Sequence, residues 1–63
     1  SPKLFARICR FRAASHGLTS LAGQQDWAQV AVQYGYFDQS HLIHDFQDFA
    51  RSSPEAWFMR RHH

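Results

Sequence analysis

The stretch Ala31-Val32-Gln33-Tyr34-Gly35-Tyr36-Phe37-Asp38-Gln39-Ser40-His41-Leu42-Ile43-His44-Asp45-Phe46 decides the fold. Its first residues finish a short helix, expected over Trp27 to Tyr34 with Trp27, Val30, Ala31 and Tyr34 facing inward. Asp26 precedes that segment as a capping carboxylate, and Gly35 ends it, because helices commonly close on a residue at positive φ. Asp38 has the chemistry to cap a second helix over residues 39–50, in which Leu42, Phe46 and Phe49 recur at i, i+4, i+7 as the buried face. That phase turns Ser40, His44 and Gln47 most directly outward. It leaves Gln39 and Ile43 on one flank and His41, Asp45 and Asp48 on the other.

Working outward, Ser1-Pro2 is a helix start, a hydroxyl cap followed by proline at the first helical position. Leu4, Ile8, Phe11, Leu18 and Leu21 then follow at helical spacing, with small Ser15 filling the gap in the stripe. The phase runs through Gly17, which predicts one helix over residues 1–22 that tolerates a glycine costing about 1 kcal/mol relative to alanine, with a break at His16-Gly17 as the alternative. Phe5 and Cys9 form a second apolar strip, and a helix with two strips is expected between two neighbours. Cys9 itself is expected to behave as a small buried hydrophobe. Downstream, Ser53-Pro54 repeats the start signal and opens a last helix over residues 54–61 with Trp57 and Phe58 in the core. No segment alternates with period two, so the expected class is all-α.

Composition bounds the function. At 63 residues the chain is one small domain, and a single cysteine excludes an internal disulfide framework or a four-thiolate metal site. Neither an eighteen-residue apolar run nor a leader-like N-terminus is visible, so the expectation is a soluble cytoplasmic domain with no membrane partner. The net charge of +2 hides a partition: +4 over residues 1–12, −4 over residues 13–50, and +2 over residues 51–63. Basic ends suit an anionic partner, whereas the acidic middle needs its own explanation.

A short helix, a glycine turn and a second helix have the outline of a helix-turn-helix, in which the second helix enters the major groove of double-stranded DNA. Gln39 suits bidentate contact with adenine, Ser40 can bond to most bases, and Ile43 can touch a thymine methyl. His44 and Gln47 are the remaining candidate DNA contacts, to base or phosphate. Lys3, Arg7 and Arg10 share one flank of the first helix and either meet phosphate or remain solvated. A metal cluster or acid–base pair built from His41, His44, Asp45 and Asp48 is disfavoured, because the histidines fall on different flanks and no second ligand pair exists. No nucleophile–base arrangement or cofactor motif appears, so neither an enzyme nor a bound cofactor is expected. The alternative is a protein-interaction or dimerisation module with little DNA affinity as an isolated fragment, and the acidic middle implies that this piece alone binds DNA poorly.

The run quoted above, followed by Ser53-Pro54-Glu55-Ala56-Trp57, resembles the signature of AraC/XylS-type bacterial transcription regulators. That signature reads approximately Ala-x-x-x-Gly-Phe/Tyr-x-Asp-Gln-Ser-x-Phe/Leu, then Arg-x-Phe-Lys, then Gly-x-Ser/Thr-Pro. The match is close over residues 27–57, and Ser1 to Leu21 is similar to the long helix joining the family's two helix-turn-helix units. The resemblance implies a linker helix over residues 1–22, a homeodomain-like helix-turn-helix over 26–50 and a C-terminal helix over 54–61. It further implies sequence-specific DNA binding in a transcription activator or repressor, with Asp45 and Asp48 as surface for RNA polymerase. The Ser-Pro-x-x-aromatic pattern at both Ser1 and Ser53 fits a duplicated unit, so a preceding helix-turn-helix is expected, and self-association through the linker helix if that unit is lacking. Three positions depart from the pattern: His44 stands where Arg is common, Gln47 where Lys is common, and Arg51 where glycine usually ends the second helix. The first two remove customary phosphate anchors; the third either forces a non-glycine residue into left-handed geometry, at about 1 kcal/mol, or means that the turn differs.

Overall fold

The structure, a computed structural model, describes residues 1–21 and 23–61. The described chain is all-α: α1 spans Pro2–Thr19, α2 Trp27–Gln33, α3 Gln39–Ala50 and α4 Pro54–Arg61. The first helix ends before the expected boundary at 22, and Ala22 lies outside the described residues, as do His62 and His63.

Side-chain oxygens start every helix. Ser1 Oγ accepts from the Leu4 amide at 3.2 Å, and Ser53 Oγ accepts from the Ala56 amide at 3.1 Å. Asp26 accepts from the Gln29 amide at 3.4 Å and Asp38 from the His41 amide at 3.1 Å. Each bond satisfies an amide that the first helical turn leaves without an intrahelical partner. At the far end of α2, Gly35 has φ 85°, and the Gly35 and Tyr36 amides donate back to the carbonyls of Val32 and Ala31. That pair of bonds is a Schellman closure, which reverses the chain within three residues and aims it at α3. Arg51 ends α3 at φ 56°, so of the two alternatives at this position the left-handed one is realised.

The core collects Ala14 and Leu18 from α1, Val30 and Ala31 from α2, Tyr36 from the turn, Leu42 and Phe46 from α3, and Trp57 and Phe58 from α4. Phe46 is fully buried at the centre, edge-on to both Phe11 (4.8 Å between ring centroids) and Trp57 (5.6 Å). Offset ring pairs of this kind add roughly 0.5–1.5 kcal/mol beyond the area they bury. Trp27, Tyr34 and Phe49 are half-buried at its edge.

Gly17 has a packing reason. A Cβ there would meet the Tyr34 phenol, 2.6 Å from Cζ, so the glycine lets α1 lie directly on that ring. Leu4 and Ile8, by contrast, stand 46% and 38% exposed. The expected inward stripe of α1 is thus realised only in its C-terminal half, from Phe11 onward. Cys9 is also exposed rather than buried.

Candidate nucleic-acid interface

Helix α3 has two faces. Leu42, Asp45 and Phe46 point inward, while Gln39, Ser40, His41, His44, Gln47 and Asp48 are exposed and Ile43 is half-buried. Gln39 and Ser40 occupy the first turn, and Ile43, His44 and Gln47 follow along the helix. Four of the five residues singled out from the sequence, Gln39, Ser40, His44 and Gln47, are therefore accessible to a partner, and Ile43 borders them.

Two neighbours of this face, Phe37 and His41, were not among the candidate contacts read from the sequence. Phe37 is 85% exposed immediately before the Asp38 cap, and its ring lies 5.8 Å, edge-on, from the His41 imidazole. His41 Nδ1 is 2.8 Å from Asp38 Oδ1, the same oxygen that accepts the His41 amide. The histidine contact and the amide hold the Asp38 carboxyl below its ordinary pKa. The i, i+3 spacing of Asp38 and His41 was the available signal for this pairing.

The acidic flank differs from expectation. Asp45 is not solvated: it is the buried charged residue of the core, 4% exposed. Arg7, reaching from α1, donates to Asp45 Oδ1 through Nε at 3.1 Å and Nη2 at 2.7 Å, and to Asp48 Oδ2 through Nη2 at 2.8 Å. Its guanidinium also lies 5.0 Å from the Phe49 ring centroid. Arg7 is thus neither a free flank residue nor a phosphate anchor in waiting, and Asp45 offers no surface to RNA polymerase. The hydrogen bond to Arg7 lowers the Asp48 pKa, and the two carboxylates together raise that of Arg7. Thirty-eight residues separate Arg7 from Asp45, so no local pattern could reveal the pair.

Below this clasp, Tyr36 Oη and Asp45 Oδ2 are both buried without a hydrogen bond of ordinary length. Burial, and after it the Asp45 charge, pushes the phenol pKa well above its usual value. Arg10 lies over the same ring, 5.4 Å from its centroid. Arg7 and Arg10 are therefore committed to the protein itself, while Lys3 is exposed.

Two open hollows lie elsewhere. One of about 520 Å³ is lined by Trp27, Phe58 and Met59 among others, and one of about 540 Å³ runs between Arg12, His16 and Arg61; neither includes a residue of α3. Among the described residues no group of three or more His, Cys, Asp or Glu side chains could hold a metal ion, and no helix is long and apolar enough to cross a membrane. No family model matches the chain, and neither does any curated protein or solved structure.

Proposed function

We propose that the chain is a DNA-binding unit of the helix-turn-helix class, similar to the second such unit of AraC/XylS-type transcription regulators, with α3 as the helix that enters the major groove. The observation that carries this reading is the division of α3. Leu42 and Phe46 are fully buried, whereas Gln39, Ser40, His44 and Gln47 are exposed on a helix capped by Asp38. A short helix ahead of it, closed by a left-handed glycine, supplies the brace that the motif requires. In this reading Gln39 and Ser40 contact base edges, Ile43 meets an apolar base group, and His44 and Gln47 reach bases or phosphates further along the groove.

Selection of preferred sites from a pool of random duplexes tests it. The unaltered protein enriches a defined sequence, and Gln39→Ala and Ser40→Ala each relax the preference at particular base pairs by about 1–3 kcal/mol. Unchanged preference in both variants contradicts the assignment of α3 as reader.

A second reading rests on a separate observation. Leu4, Phe5, Ile8 and Cys9 are all exposed along the N-terminal half of α1. Clustered apolar side chains of this kind mark association surfaces, so α1 packs against a second protein unit or a second copy. A melting temperature that rises with protein concentration supports self-association; monomeric sedimentation at high concentration counts against it.

A further inference from the structure

Helix α3 carries Asp45 and Asp48 and no Lys or Arg, which is the wrong sign for a helix approaching a phosphate backbone. The two carboxylates sit one turn apart, and the second is also 3.6 Å from His44 Nδ1, within the set of residues assigned to the groove. The compensating charge comes from another helix. A single guanidinium nitrogen, Arg7 Nη2, donates to both carboxylates, and Nε adds a second bond to Asp45. Asp45 is almost fully buried, so its charge would act through low-dielectric surroundings rather than through water if Arg7 were absent.

We propose that Arg7 is a positioning residue for DNA binding by α3: from α1 it supplies positive charge that α3 lacks, offsetting one of the two carboxylate charges of Asp45 and Asp48 so that α3 repels phosphate less. The inference rests on the DNA-binding reading above and adds to it a residue outside the helix-turn-helix. Non-specific duplex binding is mainly electrostatic and screened over about 10 Å at 0.1 M salt, so the effect of an uncompensated carboxylate pair is largest in dilute salt. Because Arg7 Nη2 is held by both carboxylates, Arg7 acts by offsetting their charge, and neutralising the carboxylates should have the opposite effect to removing Arg7.

The test is binding of the 63-residue chain to a fluorescent mixed-sequence duplex, followed by anisotropy at low and high salt. It compares Arg7→Gln, Asp45→Asn with Asp48→Asn, and the triple variant, with helix content checked by circular dichroism. Arg7→Gln is expected to weaken low-salt binding about tenfold, Asp45→Asn with Asp48→Asn to strengthen it, and the triple variant to bind at least as tightly as the unaltered chain. The contrast shrinks to less than about twofold at high salt. Arg7→Lys keeps the charge but not the forked geometry. It holds low-salt affinity within about twofold even while the melting temperature falls, and it decides the matter should Arg7→Gln lose its helices.

Three results overturn the inference while leaving the DNA reading intact: a triple variant that binds no more tightly than Arg7→Gln, a loss in the single variant that ignores salt, or an Arg7→Lys loss as large as that of Arg7→Gln. Failure of the unaltered chain to bind any duplex even at low salt contradicts the DNA reading itself and the inference with it.

Discussion

The two halves of α1 share one helix and one apolar stripe but have opposite fates. From Ala14 to Leu18 the helix is built into the core, with Ala14 and Leu18 fully buried and Gly17 seated on the Tyr34 ring. From Leu4 to Cys9 equally apolar side chains face outward, and that half is tied to the rest by Arg7, on Asp45, Asp48 and the Phe49 ring, and by Arg10 over Tyr36. A hydrophobic pattern therefore states which face of a helix can be buried, not whether a neighbour is there to bury it. The same contrast separates two kinds of attachment: apolar packing that persists at every pH, and an ionic clasp that acid can release.

The largest expected difference between the halves comes from truncation. Leu18→Ala should cost about 2–5 kcal/mol, because the site is fully enclosed. For a domain of this size that is a large part of the total stability, about 0.05–0.15 kcal/mol per residue. A denaturant titration that leaves the midpoint unmoved would show that the C-terminal half of α1 is not part of the core.

Gly17→Ala comes next and should change sign with its neighbour. Alone it forces the Tyr34 ring aside, an overpacking cost of about 1–3 kcal/mol that exceeds the roughly 1 kcal/mol gain in helix propensity. With Tyr34→Ala in place the obstruction is gone, and the same substitution should stabilise by about 1 kcal/mol. Additive thermal shifts in the double-variant comparison would contradict the close approach.

Acid should act on the clasp and on the α3 cap. The Asp48 and Asp38 pKa values are lowered in the folded protein, chiefly by the Arg7 and His41 contacts respectively. The stability these groups contribute is therefore present above the ordinary carboxylate pKa of about 3.9 and is lost as pH falls below it, through their depressed folded values. Melting temperatures across that range should fall less steeply for Asp48→Asn with Asp38→Asn than for the unaltered chain. Parallel curves would exclude both carboxylates as contributors.

The smallest effect belongs to the exposed half. Leu4→Ala and Phe5→Ser should change the stability of the monomer by no more than about 0.5 kcal/mol. A larger loss, growing with dilution, would show instead that this surface is covered by association.

Local chemistry was the legible part of this fold. Asp26, Asp38 and Ser53 announced their helices as side-chain caps, Gly35 announced the reversal, and the Leu42–Phe46 spacing oriented α3 correctly. At Arg51, where a glycine would be usual, the sequence left a left-handed residue and a different turn both open, and the backbone takes the first. What stayed hidden was long-range or depended on absent neighbours. Asp45 read as a flank residue because its partner lies on another helix, and a carboxylate is buried only where such a partner exists. The exposure of Leu4, Ile8 and Cys9 could not be read from their own periodicity. Of the candidate site, the outward polar residues of α3 were legible from phase alone; the oriented His41 and the Arg7 clasp required coordinates.

The most direct test of α3 as a DNA-reading helix is a titration of the isotope-labelled chain with a mixed-sequence duplex, followed by amide chemical shifts. The account predicts that the largest changes fall on Phe37 to Gln47 and shrink with added salt, while Leu4, Phe5 and Ile8 stay unmoved. Changes confined to the N-terminal half of α1, or none on α3 at a duplex concentration that saturates binding, would contradict it.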